Sequence, residues 1–269
     1  MAKNQEHRLD VEFGSHAEES SGDAGACLTR HVSAYKQDNS CSHRWQGFRA
    51  AKDDASTYDW PAYKSLADHP YRTEIRTVRQ RGQFGRFKVQ PTQGAWDLDA
   101  TTNYYGNQVP NFRGRADIPY YHNAHHVIPN SVLNGAMYDA AASDMRVFAL
   151  ARKALLDAKY NLNHKGNMVL LPMSKYVASA LHLPRHISGV ETEPGQVPEH
   201  LNHSAYNAKV RAKVKDVIAD FASQVKFQQH DVDAPEIAKI LLEDISREVL
   251  TQLKAWGRVA EGRSLNEFN

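Results

Sequence analysis

Three histidines lie within five positions of one short stretch, at His122, His125 and His126, and an apolar dipeptide and Pro129 follow the last of them. An imidazole titrates near neutral pH, so it can take a proton from water, and its nitrogen is also a common metal ligand. Neighbouring side chains on a strand point to opposite faces, so the His125–His126 pair can divide these two tasks only where the backbone is distorted, as at a strand end. The stretch therefore indicates one half of a site at which a metal ion and a base activate water for hydrolysis.

Histidine is concentrated in the middle of the chain. Eight of the 14 histidines lie between positions 122 and 203, and they are His122, His125, His126, His164, His182, His186, His200 and His203. Residues 111–230 carry 14 basic and 9 acidic side chains, whereas residues 1–110 carry 14 of each. Phosphate binding requires such a surplus of positive charge, although a solvated helix face would explain it equally well.

Composition excludes several classes of protein. The 269 residues, 41% hydrophobic and 24% charged, are typical of a globular chain with one large or two modest domains. The two cysteines, Cys27 and Cys41, form no CxxC pair, which excludes zinc ribbons and thioredoxin-like motifs; two free thiols are expected, and one disulfide stays open. No apolar run is long enough to span a membrane, and the N-terminus shows charge where a Sec-type signal would be apolar.

The elements that must position the histidines can be predicted from apolar spacing and from turn residues. Two strands are expected over residues 125–128 and 167–172, because each is a short apolar run that ends at a proline. Helices are expected over residues 143–160 with Ser143 or Asp144 as the cap, and over residues 174–183. Two longer helices, at 205–227 and 235–256, each carry one apolar stripe that predicts burial in the core.

The first 119 residues are less regular. Residues 1–26 are polar and small and predict a flexible segment, and residues 91–119 are a Pro- and Gly-rich connection. Between them, the aromatic-rich stretch 27–90 suits short helices and turns better than a regular sheet. Within it, residues 72–88 interleave basic and aromatic side chains. This pattern fits a strip facing nucleic acid, but a solvated face with its aromatics turned inward is the favoured interpretation.

Three blocks of sequence resemble those of one nuclease family. The first is the triplet Ala124-His125-His126 with Val127-Ile128-Pro129 behind it, and the second is the Asn-led strand Asn167-Met168-Val169-Leu170-Leu171-Pro172. The third combines Leu183-Pro184-Arg185-His186 with His203-Ser204-Ala205-Tyr206. Over residues 120–215 the chain resembles the AHH family of the HNH/endonuclease VII superfamily, also called the His-Me finger or ββα-metal nucleases.

The resemblance implies a metal-dependent endonuclease that hydrolyses nucleic acid, with DNA favoured over RNA. His126 would be the general base, Asn167 would orient that base or support the metal loop, and His203 would assist as a third catalytic residue. One divalent ion, Mg, Mn or Zn, would be held by His125, His186 and His203. His182 stays open as a substitute for His186 or His203, although Pro184 interrupts the helical turn that would join His182 to His186.

The expected fold class is α+β, mostly helical with a small ββα-metal nuclease core. The expected organisation is a flexible segment at 1–26, an N-terminal accessory region of unknown role at 27–114, and the nuclease domain with its C-terminal helices at 115–269. The resemblance further implies an antibacterial toxin that is exported without a Sec signal by a specialised secretion system and acts in the target-cell cytoplasm. Its expected partners are a cognate immunity protein and a secretion adaptor or chaperone that binds the N-terminal region, with no membrane involved.

Two other interpretations of the histidines remain open. A non-catalytic protein with a structural zinc at His125, His186 and His203 would use the same cluster. Alternatively, His125 and His126 are buried side chains whose nitrogens bond to backbone carbonyls. Another type of zinc hydrolase is disfavoured because the chain has neither an HExxH motif nor the paired cysteines of deaminases.

Overall fold

A computed structural model describes residues 25–29, 36–54, 74–80, 83–89, 122–172, 175–186, 203–227, 233–260 and 262–268. Within these ranges the helices are α1 (His43–Asp53), α2 (Asn130–Ala140), α3 (Met145–Asp157), α4 (Lys175–Ala180), α5 (Ser204–Lys226) and α6 (Ala234–Val259). The strands are β1 (Glu74–Gln80), β2 (Gln83–Val89), β3 (His122–His126) and β4 (Met168–Pro172). The part of the chain that the structure describes is therefore mostly helical with little sheet, as the α+β expectation requires, whereas its description as a ββα-metal core stays a prediction.

Strands β1 and β2 form an antiparallel hairpin in which Glu74 pairs with Val89 and Gln80 with Gln83. The expectation of short helices and turns over residues 27–90 is therefore wrong for residues 74–80 and 83–89. The physical reason is in the sequence: both strands contain several β-branched or aromatic residues among polar ones, and such residues favour a pleated ribbon. The structure describes the backbone of this hairpin but not its side chains, so the proposed basic strip stays a prediction.

Strands β3 and β4 pair in the second sheet, and β3 begins and ends earlier than predicted. Residues 127 and 128 form a bend, after which α2 begins directly behind Pro129, whose fixed φ suits a helix start. This helix was not predicted. The next one, α3, was predicted correctly: the Asp144 side chain accepts hydrogen bonds from the backbone N–H groups of Arg146 and Val147.

The long helices α5 and α6 lie close to their predicted bounds, but the apolar stripe of α6 is only partly buried. Ile245, Val249 and Leu253 of this stripe lie in the core. In contrast, Ile237, Ile240 and Leu241, which were expected in the same stripe, are 48%, 47% and 41% exposed. The core-facing side of α6 near its start is instead formed by small side chains such as Ala238.

Contacts divide the chain into two units. The first unit comprises Met1–Gly47, His126–Val169 and Asn207–Leu250, and the second comprises Phe48–His125, Leu170–Tyr206 and Thr251–Asn269. The division falls between His125 and His126. The predicted boundaries at 1–26, 27–114 and 115–269 stay predictions, and residues 1–24 of the expected flexible segment lie outside the described residues.

The remaining expectations about composition concern thiols and membranes. Cys27 and Cys41 are both buried, and no disulfide joins them. Among the described helices, none combines the length and the apolar character that crossing a bilayer demands.

Candidate metal centre and active site

Three imidazoles from distant parts of the sequence meet in the second unit. His125 lies on β3, His186 follows α4, and His203 immediately precedes α5. The ring centroids lie 5.1 Å apart for His125 and His186, 4.8 Å for His125 and His203, and 5.5 Å for His186 and His203. One nitrogen from each ring can be chosen so that all three lie within 4.8 Å of one another. We call this group the histidine triad.

Aromatic side chains hold the triad on one side. The Tyr206 ring, fully buried on the first turns of α5, lies 5.0 Å from the His125 ring and 5.6 Å from the His203 ring. Behind it, Phe268 packs at 5.9 Å from Tyr206 and also contacts Trp256 of α6. Burial raises the pKa of the Tyr206 hydroxyl, so this wall of the site stays neutral at physiological pH.

Backbone hydrogen bonds fix the position of His186. Its N–H donates to the carbonyl of Pro172 at the end of β4, at 2.7 Å. The preceding residue, Arg185, exchanges bonds with the C-terminal segment: its N–H donates to the Arg263 carbonyl at 2.9 Å, and its carbonyl accepts from Leu265 at 2.8 Å. His186 is thus held between a strand end and a 3-10 helix at Leu265–Glu267, although residues 187–202 separate it from His203 in sequence.

The donor set of the triad fits a divalent metal. Three neutral imidazoles are ligands for zinc and related ions, and a catalytic zinc commonly has three protein ligands and one open position. Nitrogens that share a tetrahedral ion lie about 3.4 Å apart when each bond is about 2.0–2.1 Å long, so closing the triad requires ring shifts of about 1 Å. His182 is exposed and does not belong to the cluster.

His126 lies in different surroundings, in the first unit. Its ring is buried, and Nε2 lies 2.8 Å from the side-chain oxygen Oδ1 of Asn163. The other end of the Asn163 amide donates from Nδ2 to the carbonyl of Thr29 at 2.9 Å and to Cys27 Sγ at 3.4 Å. The ring of His43 lies 5.6 Å from that of His126, centroid to centroid.

These contacts determine which nitrogen of neutral His126 carries the proton. A carbonyl oxygen only accepts, so the contact with Thr29 requires Nδ2 of Asn163 to point there. Oδ1 must then face His126, and because Oδ1 also only accepts, Nε2 of His126 is the donor. The lone pair of the neutral ring is therefore on Nδ1, which becomes the proton-accepting nitrogen.

Asn167 joins three parts of the first unit. Its Oδ1 accepts from the Ile128 N–H at 2.7 Å and from Ser246 Oγ at 2.9 Å. Its Nδ2 donates to the Leu162 carbonyl at 2.8 Å and to the Ile128 carbonyl at 3.2 Å. Its hydrogen bonds thus fix the bend that follows His126. Of the two roles expected for Asn167, these contacts correspond to supporting the loop, and its catalytic role stays a prediction.

The structure thus brings together the three predicted ligands and places the predicted base beside an asparagine that sequence reasoning missed. Asn163 was part of a polar turn, and nothing in its neighbourhood of sequence marks it as a partner of His126. His43 was also missed, because it is distant in sequence and stands in no motif. The roles of His125, His186 and His203 in binding a metal, and the additional catalytic role of His203, stay predictions.

His126, a buried imidazole with its Nε2 bonded to Asn163, is next in sequence to a member of a three-histidine cluster. Hydrolytic enzymes use histidines both as general bases and as metal ligands. A family model described as "A nuclease family of the HNH/ENDO VII superfamily with conserved AHH" matches residues 111–249, just over half of the chain. The chain belongs to this AHH family of nucleases, whose triplet stands here at residues 124–126. Comparison with curated proteins and with solved structures gave no match.

Proposed function

We propose that the protein is a metal-dependent endonuclease that hydrolyses phosphodiester bonds, with DNA as the favoured substrate. The observation that carries this proposal is the meeting of His125, His186 and His203 in a chain of the AHH nuclease family. A divalent metal bound there would act as a Lewis acid on the phosphate and stabilise the charge that develops on it. The preference for DNA rests on the family resemblance alone.

In the proposed reaction His126 is the general base. Its Nδ1 takes a proton from the attacking water, the water oxygen forms a bond to phosphorus, and the bond from phosphorus to the leaving sugar oxygen breaks. The leaving oxygen takes up a proton from solvent. Asn163 holds the ring through Nε2. His203 is the most exposed member of the triad, which supports a role in contacting the substrate as well as the metal.

The test is cleavage of supercoiled plasmid and of a matched RNA by the purified protein with Mg²⁺, Mn²⁺ or Zn²⁺. We expect nicking that a chelator abolishes, and a loss of about 10²–10⁴-fold in His126→Ala, the usual contribution of a general base. The matched control is His182→Asn, because His182 is exposed and its positive φ suits asparagine. Full activity in His126→Ala would overturn the role of that residue, and cleavage in the presence of chelator would overturn the metal dependence.

A structural zinc is the second candidate, and one observation favours it. The triad joins three distant segments, and two of its members are buried, as in a site that holds a fold together. In that case chelation would unfold the protein and no nucleic acid would be cut. An apoprotein that keeps its circular dichroism spectrum but loses nicking would decide in favour of catalysis.

The proposed biological setting is that of an antibacterial toxin, exported by a specialised secretion system and active in the target-cell cytoplasm. This part rests on the family resemblance, which also implies an immunity protein, expected to be acidic and to cover the site, and a secretion adaptor or chaperone at the N-terminal region. Expression in a susceptible bacterium should stop growth, whereas His126→Ala should not. Equal toxicity of the two proteins would contradict the nuclease explanation of any toxic effect.

A further inference from the structure

A short segment, residues 26–29, runs through the interior of the first unit although it lies far upstream of the family match. All four of its residues are buried. Cys27 pairs with Asn161 as a parallel bridge: the Cys27 N–H donates to the Tyr160 carbonyl at 3.1 Å, and the Leu162 N–H donates to the Cys27 carbonyl at 2.7 Å. The segment is therefore hydrogen-bonded along its length to the turn that carries Asn163.

Further bonds tie the same segment to the start of α2. The Leu28 carbonyl accepts from Asn130 Nδ2 at 2.9 Å. A second upstream contact comes from residue 40, whose carbonyl accepts from Asn161 Nδ2 at 3.0 Å, while Asn161 Oδ1 accepts from the Asn163 N–H at 2.9 Å. The backbone and the side chain of Asn163 are thus both fixed by a network that upstream residues complete.

We propose that residues 26–29 are part of the base site of the nuclease, and that Asn163 is the positioning residue through which they act. The Thr29 carbonyl accepts a hydrogen bond from Nδ2 of Asn163, and this bond orients Oδ1 of the same amide toward His126. The segment supplies two acceptors for Nδ2, the Thr29 carbonyl and Cys27 Sγ. Both favour this orientation of the amide over the flipped one, in which Nδ2 would oppose the Nε2 proton. The part of this proposal that concerns catalysis through Nδ1 of His126 rests on the proposed function, whereas the location of the ring proton on Nε2 does not.

The experiment uses the full-length protein in Mg²⁺ buffer, labelled with ¹⁵N at histidine. We expect proton-detected NMR to show the His126 proton on Nε2, exchanging slowly with solvent because Asn163 accepts it. In Asn163→Ala that proton should exchange faster, and kcat should fall by at least about tenfold with little change in KM, because the substrate contacts remain. Asn163→Asp keeps an acceptor and should recover part of both the signal and the rate.

The matched control is Asn130→Ala, which also loses an amide bond to this segment but has no bond to His126 among the described contacts. It should keep the slowly exchanging proton and the wild-type kcat. A proton on Nδ1 in the wild type would overturn the proposal, and so would Asn163→Ala with unchanged exchange and unchanged kcat. If the wild type cuts no nucleic acid, the proposed function fails. The NMR spectrum of the wild type still shows which nitrogen of His126 carries the proton, and this measurement does not require Asn163→Ala to fold.

Discussion

His125 and His126 are consecutive, yet each enters a separate set of contacts. His125 meets His186, His203 and the Tyr206 ring, whereas His126 meets Asn163 and the His43 ring. This separation is what strand geometry imposes on neighbouring side chains. The two roles proposed for this pair need two imidazoles, because a nitrogen that holds a metal cannot take a proton.

Removing one member of the triad tests the metal centre independently of activity. His186→Ala should weaken binding of Zn²⁺ by more than about 100-fold, because a lost ligand costs more than the 10- to 100-fold typical of outer-shell partners. Isothermal titration calorimetry on the apoprotein measures this. His126→Ala and His182→Asn should bind the ion as the wild type does. Equal affinity in His186→Ala would show that the triad is not the metal site.

Tyr160 offers a test at a residue that has no catalytic role in the proposal. Its ring is buried, and its hydroxyl has no hydrogen-bond partner among the described residues. Burial, and secondarily the carboxylate of Glu243, raises the pKa of this hydroxyl above its usual value of 10.0. Tyr160→Phe should therefore increase the free energy of unfolding by about 1 kcal/mol at neutral pH, because an unsatisfied buried group is removed.

The difference in free energy of unfolding between Tyr160→Phe and the wild type should be larger at high pH. Above pH 10 the unfolded chain loses the Tyr160 proton while the folded protein keeps it, so the free energy of unfolding falls by up to about 1.4 kcal/mol per pH unit. Tyr160→Phe should remove this contribution, which urea unfolding at pH 7 and pH 10.5 would measure. Tyr138→Phe, at a half-exposed ring, should change the neutral-pH value by less than about 0.5 kcal/mol. A constant difference between wild type and Tyr160→Phe across this pH range would contradict the assignment.

At the scale of elements, the helices and strands whose formation depends on neighbouring residues were predicted from sequence. The Asp144 cap, the apolar run that ends at Pro172 and the long stripe of α5 each specify an element without reference to distant residues. Helix α2 was missed because its sequence, Asn-Ser-Val-Leu-Asn-Gly-Ala-Met-Tyr-Asp-Ala, contains a glycine and two asparagines that disfavour helices. Burial of Val132, Leu133, Ala136 and Met137 overrides that local preference.

Gly257 on α6 is required by a close backbone approach. A Cβ at this position would lie 2.3 Å from the His182 carbonyl oxygen and 2.7 Å from Leu183 Cα. Because both neighbours are backbone atoms, Gly257→Ala must displace the chain that leads to His186, and we expect a loss of about 1–3 kcal/mol in the free energy of unfolding. Binding of Zn²⁺ should weaken as well, since that displacement reaches a member of the triad.

Gly135 provides the matched control for this prediction, because it also lies within a helix. The nearest atoms to a Cβ there would belong to the flexible Arg211 side chain, the first of them at 3.4 Å. Gly135→Ala should be neutral or should stabilise the protein by up to about 1 kcal/mol through helix propensity. Thermal and urea unfolding of both variants measures the difference, and equal effects of the two substitutions would show that the approach to Gly257 does not constrain the fold.

At the scale of the whole molecule, the two halves of the candidate site differ in how far sequence could predict them. The triad was found because its three histidines stand in motif blocks. The surroundings of His126 could not be found, because they depend on residues that are distant in sequence. Thr29 and Ser40 accept hydrogen bonds from Asn163 and Asn161, and the His43 ring lies directly beside the His126 ring. A backbone carbonyl carries no signature of its own in sequence, so its role becomes visible only when the chain is folded.

This long-range pairing makes Leu28 a core residue of the first unit, and its truncation tests that. Leu28 is 0% exposed, so Leu28→Ala should lower the free energy of unfolding by about 2–5 kcal/mol, through lost burial and a new cavity. Leu150→Ala is the matched control: that side chain is 40% exposed on α3, and the cost should be no more than about 1 kcal/mol. Urea unfolding, followed by tyrosine and tryptophan fluorescence, compares the two. If Leu28→Ala costs no more than Leu150→Ala, residues 26–29 are peripheral to the fold, and the upstream segment then has no part in holding His126.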